Sequence, residues 1–168
     1  MDRYSTFGAR FVAGMLDGLV FVPIIFLDRF FGSPDQGVAQ FLVWSAFAYC
    51  SFWLYTVLFH WRTGQTLGKR AVGVKVLDVS ETRLPTFQQA FLRDIGYIIL
   101  NTFALSYLVF LVIWGEYNDL AFAESMPSRV ANGAGWLWFI LEVITMLTNR
   151  KRRALHDLIA RTVVVRGA

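Results

Sequence analysis

The stretch FGARFVAGMLDGLVFVPIIFL, from Phe7 to Leu27, is long and apolar enough to cross a bilayer, yet it contains Arg10 and Asp17. About twenty helical residues span the hydrocarbon core at roughly 1.5 Å per residue. An aspartate near the centre of such a span costs about 2.5–3.5 kcal/mol on insertion scales. Gly14 and Gly18 bracket Asp17 as a small-xxx-small pair, which is typical of a closely packed helix face. We therefore predict a retained transmembrane helix whose carboxylate has a structural or functional role.

The composition of the whole chain indicates a membrane protein. Of its 168 residues 56% are hydrophobic and 17% are charged, the mean hydropathy is +0.49, and the apolar residues fall in long blocks. Cys50 is the only cysteine, which excludes an intramolecular disulfide. His60 and His156 are the only histidines, and no clustered metal-ligand spacing is present. We expect neither a cofactor nor a metal.

Four blocks predict four transmembrane helices in a single domain covering residues 1–168, at about 7–27, 38–59, 95–114 and 130–148. The fourth block is the weakest, because Asn132, Gly133 and Gly135 interrupt its beginning and Glu142 interrupts its middle. An odd number of spans therefore stays open as an alternative. The predicted fold class is an all-α membrane protein.

The charges of the connecting segments predict the orientation. Six Lys or Arg residues follow the second span and six more lie in the C-terminal tail, whereas the segments 28–37 and 115–128 contain a single base, Arg29. By the positive-inside rule, four spans with both termini in the cytoplasm fit this pattern. Because the bases flank the spans on one side only, we expect them to contact anionic lipid headgroups rather than nucleic acid.

Two short segments on the basic side have the character of β-strands. The segment AVGVKVLDV at 71–79 alternates valines with other residues, and RTVVVR at 161–166 is rich in β-branched residues. A single strand is not stable alone, so we predict that the two pair in a small cytoplasmic sheet. Thr86 and Gln89 form a T-x-x-Q capping box that predicts the start of a helix leading into the third span.

Asp17 and Glu142 are the two carboxyl groups expected at membrane depth. Each is either a titrating site on an ion path or a neutral or salt-bridged packing residue. Two carboxyls that faced one cavity would alter each other's proton affinity, which is how a site couples protons to cations. Asn101 and Thr102 on the third span could donate hydrogen bonds to either acid.

The tail KRRALHDLIARTVVV places His156 and Asp157 just inside the membrane. Adjacent helical residues point in different directions and no nucleophile accompanies them, so we do not expect an enzyme. Asp157 is a suitable partner for Arg10 or Arg93. Because Arg10 lies toward the cytoplasmic side, we predict an Arg10–Asp157 salt bridge that leaves Asp17 the freer aspartate.

Three segments in order resemble the RDD family of small membrane proteins, named for one arginine and two aspartates. They are ARFVAGMLDGLV, then RTGQTLGKRAVGVKVLD with LPTFQQAFLRD, and the tail KRRALHDLIARTVVV. The resemblance covers almost the whole chain and assigns the arginine to Arg10 and the aspartates to Asp17 and Asp157. It implies a bacterial-type multi-pass protein of the inner (plasma) membrane, with monovalent cation/proton exchange attributed to some members. Glu142 is not part of the family pattern.

Two functions are therefore expected as alternatives. The first is a small, homo-oligomeric transporter that exchanges a monovalent cation or small solute for protons, with Asp17 titrating and Arg10, Asp157 and Glu142 completing the ion or proton site. The second is a non-transport accessory or assembly subunit of a membrane complex, in which the arginine and the aspartates form a structural cluster.

The orientation is tested with reporters. A fluorescent protein that folds only in the cytoplasm should fluoresce when it is fused after Ala168 and stay dark when it is fused after Tyr117, because the positive-inside rule places these sites on opposite sides. Fluorescence in host cells is the measurement. A dark C-terminal fusion that is nevertheless expressed would contradict the predicted topology.

Overall fold

A computed structural model describes residues 3–167 of the chain. Within this part of the chain, four helical segments are long and apolar enough to cross a membrane: Phe7–Phe31, Val38–Thr63, Phe87–Ile113 and Met126–Thr148. The four-span prediction is confirmed, including the doubtful fourth helix. In chain order the elements are α1 (Phe7–Val20), α2 (Val22–Phe31), a 3-10 turn (Pro34–Gln36), α3 (Val38–Thr63), α4 (Leu67–Ala71), β1 (Val74–Asp78), α5 (Phe87–Ile113), α6 (Asp119–Glu124), α7 (Met126–Thr148), α8 (Leu155–Ile159) and β2 (Thr162–Arg166).

All four helical segments are longer than the predicted spans, and the first and third differ in ways that the sequence explains. The first span is two helices with a break at Phe21, because Pro23 in the first turn of α2 has no N–H to bond the carbonyl four residues earlier. The helix that contains the third span begins at Phe87, where the capping box predicted its start, although the span itself was expected only from about residue 95. There the predicted capping box is confirmed, since Gln89 N donates to Thr86 Oγ1 at 3.2 Å and Thr86 N donates to Gln89 Oε1 at 3.0 Å.

The predicted sheet is confirmed as an antiparallel pair of β1 and β2, with a register that runs from Val74 opposite Arg166 to Asp78 opposite Thr162. One face of the sheet packs against Ala9 at the start of α1, and the other face is partly covered by Tyr4. The sheet therefore joins the beginning of the chain, the link between α3 and α5, and the tail. We call this end of the bundle the sheet side and the opposite end the α6 side.

Helix packing is uneven around the bundle. The helices α3 and α5 pack along much of their length, and α7 packs against α5. In contrast, α1 packs mainly against the short helix α4 and only sparsely against α5 and α7. On the sheet side this arrangement leaves a space that α1, α3, α5 and α7 enclose from different directions.

Two glycines allow close packing at this end. A Cβ on Gly68 in α4 would collide with the Ala13 carbonyl oxygen and stand 2.9 Å from the Asp17 carboxyl carbon. A Cβ on Gly96 in α5 would stand 2.6 Å from the ring of Trp138 in α7. Both separations are far below van der Waals contact, so only glycine lets these helices approach this closely.

We expect Gly68→Ala and Gly96→Ala each to lower the free energy of unfolding by about 1–3 kcal/mol, because overpacking displaces backbone or a ring. Thermal unfolding in detergent is the measurement. The matched control is Gly14→Ala, since no described atom lies within 4 Å of the added carbon. Equal melting temperatures for all three variants would show that the close helix contacts are wrong.

Candidate functional site: a charged chamber on the sheet side

A cavity of about 260 Å³ lies among α1, α3, α5 and α7, close to α4 and α8. Aromatic and aliphatic side chains form much of its wall. We call it the charged chamber, because its lining includes the ionisable residues Arg10, Asp17, His60, Lys69, Arg93, Asp94, Glu142 and His156. The chamber brings together three of the four residues predicted for the site, and the fourth, Asp157, binds two of the lining bases.

Asp157 in α8 is the most heavily coordinated acid at the chamber. Arg10 Nη1 donates to its Oδ2 at 2.5 Å, and Arg93 Nη1 donates to its Oδ1. The Ala154 N–H and the Thr162 hydroxyl also donate to it, at 3.1 and 3.2 Å. The predicted Arg10–Asp157 salt bridge is therefore confirmed, and a second arginine shares the same carboxylate.

The Asp157 carboxylate is stable as an anion only because of these partners. Its side chain is 0% exposed, and those of Arg10 and Arg93 are 10% and 3% exposed. Burial by itself would raise the pKa of Asp157, but the two guanidiniums outweigh burial and hold the pKa well below its usual value. The group is a structural ion cluster that stays ionised across the physiological pH range.

Asp17 is not the freer aspartate that the sequence predicted. Its carboxylate is 2% exposed and accepts hydrogen bonds from the Tyr55 hydroxyl at 2.7 Å, the Thr66 hydroxyl at 2.6 Å and the Gly68 N–H at 2.7 Å. Two of these donors begin α4, so Asp17 anchors that helix to α1 on the sheet side. The donors are neutral and lie about 40 to 50 residues later in the chain, so no charge pattern could reveal them.

Glu142 forms a polar pair with His156. His156 Nδ1 lies 2.6 Å from Glu142 Oε1, and Trp138 Nε1 donates to the same oxygen at 2.7 Å. His156 Nε2 lies 3.1 Å from Arg93 Nη2, which can only donate. Nε2 therefore accepts, Nδ1 carries the proton, and the imidazole is neutral in this arrangement. Asp17 and Glu142 do line one chamber, which the sequence alone left open.

Asp94 in α5 is the chamber acid that sequence reasoning missed. The Thr56 hydroxyl donates to its Oδ2 at 2.8 Å, and this is the single hydrogen bond that its side chain makes to the described residues. The sequence did not single out Asp94, because the residue precedes the third span predicted at about 95–114. The capping box at Thr86 was the available signal, since it places Asp94 two turns inside a helix.

Two bases near Asp94 lack partners among residues 3–167. Both ring nitrogens of His60 are buried without a hydrogen bond, and the residue is 3% exposed. No described residue accepts a hydrogen bond from the Lys69 ammonium, which lines the same chamber. Burial, reinforced by the charge of Arg93, lowers the pKa of Lys69 to about 8. An uncompensated imidazolium would be costly in such a place, so His60 is neutral.

The formal charges of the chamber do not cancel. Among the described residues that line it or pair with a lining residue, the bases are Arg10, Lys69 and Arg93 and the acids are Asp17, Asp94, Glu142 and Asp157. With both histidines neutral, the acids exceed the bases by one. One proton or one monovalent cation would restore neutrality, and Asp94, with its single hydrogen bond, is the acid best able to receive it.

The comparisons with known proteins identify one family. The family model of the RDD family matches residues 4–161, which is nearly the whole chain. No curated protein and no solved structure matches the chain.

We expect Asp157→Asn to lower the free energy of unfolding by about 3–5 kcal/mol, because two buried guanidiniums would lose their counter-charge. Since the folded pKa of Asp157 is depressed, the carboxylate stabilises the fold above the unfolded value near 4 and loses this effect only as the pH falls through the folded value. Thermal unfolding should therefore show the same deficit at pH 5 and pH 8.

The control for this measurement is Arg83→Gln, which removes a partner of Asp78 from a salt bridge in which Arg83 is 72% exposed. Exposed pairs contribute about 0–1 kcal/mol, so the control should unfold nearly as the unchanged protein does. A deficit below about 1 kcal/mol for Asp157→Asn would contradict the structural role of the ion cluster.

Proposed function

The chain belongs to the RDD family, a membrane-protein family, and on that premise we propose that it exchanges a monovalent cation for protons through the charged chamber. Asp94 is the group that alternates between the two ions. The sequence pointed to Asp17 for this role, but the three hydrogen bonds to Asp17 support a structural function instead. The proposal therefore keeps the expected activity and moves it to another carboxylate.

The observation that carries the proposal is the single excess negative charge of the chamber, together with the sparse coordination of Asp94. A carboxylate held by one neutral hydroxyl can bind a proton or a cation, whereas Asp157 is already neutralised by two arginines. Because either ion cancels the excess charge, binding of one opposes binding of the other. Such competition at one site is the physical requirement for exchange.

The chamber also has the surroundings that an exchange site needs. A water molecule takes about 30 Å³ in the liquid, so about 260 Å³ holds a monovalent cation with several waters. Lys69 lies close enough to Asp94 for their charges to interact, and its pKa of about 8 lets it release a proton near physiological pH. It can therefore adjust the chamber's charge as a cation enters or leaves.

The alternative function is an accessory or assembly subunit. The buried Arg10–Asp157–Arg93 cluster favours this alternative, because it joins α1, α5 and α8 and stabilises the fold whether or not the protein transports ions. Homo-oligomerisation stays a prediction under either function. Gly14 and Gly18 face away from the described chain, with no atom within 4 Å of an added Cβ, so this face is available to another copy.

We expect Asp94→Asn to reduce cation-driven proton flux about tenfold or more in proteoliposomes, because an amide cannot exchange a proton for a cation. A pH-sensitive dye reports the flux after Na⁺, K⁺ or Li⁺ is added. The Thr56 hydroxyl can still donate to the amide oxygen, so the variant should fold.

The matched control is Asp28→Asn, which changes an exposed carboxylate in α2 that accepts from Trp44 Nε1 and lies outside the chamber. It should keep normal flux. Normal flux from folded Asp94→Asn would refute the proposed site. An absence of flux from the unchanged protein, together with a partner retained through purification in mild detergent, would favour the accessory function.

A further inference from the structure

A second cavity, of about 680 Å³, occupies the α6 side of the same bundle. It lies among α3, α5 and α7, and residues of α6 contribute to its wall. Tyr49, Asn101, Ser128 and Asn132 supply polar groups to this wall, and no charged side chain lines it among the described residues. We call it the α6-side cavity. Its wall is thus largely apolar with a few uncharged polar groups, whereas the charged chamber is ionic.

Two aromatic residues line both spaces. Tyr97 and Phe139 line both the charged chamber and the α6-side cavity. Tyr97 lies three residues after Asp94 in α5, and Phe139 lies three residues before Glu142 in α7. Positions three or four apart share one helix face. On both helices the face therefore changes from an acid to an aromatic ring over one turn.

The same face continues to an amide on each helix. Asn101 lies four residues beyond Tyr97 in α5, and Asn132 lies seven residues before Phe139 in α7. The sequence offered Asn101 as a hydrogen-bond donor to Asp17 or Glu142, but its side chain bonds to neither of them. Neither asparagine side chain makes a hydrogen bond to a described residue, so both amides are available to a ligand.

We infer that the α6-side cavity is a second binding compartment for the monovalent cation, and that Tyr97 and Phe139 form the barrier between it and the charged chamber. Amide and hydroxyl oxygens can replace part of a cation's hydration shell without adding charge. A cation can thus enter a neutral compartment that does not hold it too tightly and then pass to Asp94. This inference rests on the proposed exchange and adds its route from the α6 side.

The compartment is tested by thiol labelling of the full-length protein in vesicles of defined orientation, with Cys50→Ser as background. A membrane-impermeant, positively charged methanethiosulfonate added on the α6 side should modify Asn101→Cys about tenfold faster than Ile99→Cys, because thiolates form in water. Ile99 is the matched control, since it lies two residues away in α5 and is 60% exposed on the bundle's outer surface. Asn132→Cys provides a second reporter in case one variant misfolds.

Cation binding is read from the same reaction. Saturating Na⁺, K⁺ or Li⁺ should slow the labelling of Asn101→Cys, whereas choline at equal ionic strength should not. Equal labelling rates for Asn101→Cys, Asn132→Cys and Ile99→Cys would contradict the inference that the α6-side cavity is a water-filled compartment. Rapid labelling that none of the three cations slows would overturn its role in cation binding.

The barrier is tested with Met146→Cys, a position in α7 that lines the charged chamber and is 7% exposed. The reagent on the α6 side should modify this cysteine slowly in the protein with both rings and about tenfold faster in the Tyr97→Ala/Phe139→Ala variant. Equal rates with and without the rings would refute the barrier.

Labelling does not require transport, so the inference and the proposed function can fail separately. If cations slow the labelling of Asn101→Cys in a protein that shows no proton flux, the α6-side cavity binds cations but the proposed exchange is refuted. If proton flux depends on Asp94 but Asn101→Cys does not react from the α6 side, the proposed exchange is supported and the route through the α6-side cavity is refuted.

Discussion

The salt bridges from Arg10 and Arg93 to Asp157 hold the structure together. The carboxylate belongs to α8 near the end of the chain, while the guanidiniums belong to α1 and α5, 147 and 64 residues away in sequence. None of the three charges is stable at this depth alone, because a buried ion costs several kcal/mol without a partner. Because β2 follows α8 directly, the cluster and the packing of the sheet against Ala9 hold the tail to α1 at neighbouring points.

This cluster also explains why an ionic space exists inside an apolar bundle. It fixes the sheet-side ends of α1 and α5, although these helices pack only sparsely against each other. Asp17 holds α4 against α1 from the other direction. The charged chamber lies between these two sets of contacts, which already fix the side chains that line it. Water and a cation can therefore occupy the chamber without loosening the helices.

The sequence predicted those features that depend on composition and on full charges. Block hydropathy located four spans, β-branched residues located both strands, and the placement of charges identified the Arg10–Asp157 pair. It could not predict the environment of Asp17, because hydroxyl and N–H donors such as those of Thr66 leave no charge pattern. It missed Asp94 for a different reason: hydropathy marks the apolar part of α5 and not the polar turns with which that helix begins.

The two kinds of carboxylate differ in what a proton would do to them. Protonating Asp157 would leave two guanidiniums unbalanced, and protonating Asp17 would weaken three hydrogen bonds that anchor α4. Protonating Asp94 disturbs one hydrogen bond from Thr56 and removes the chamber's excess charge. Proton binding is therefore least costly at the acid outside the arginine–aspartate cluster. On this argument, the residues that give the family its name build the chamber, and the exchange that we propose uses a carboxylate beside them.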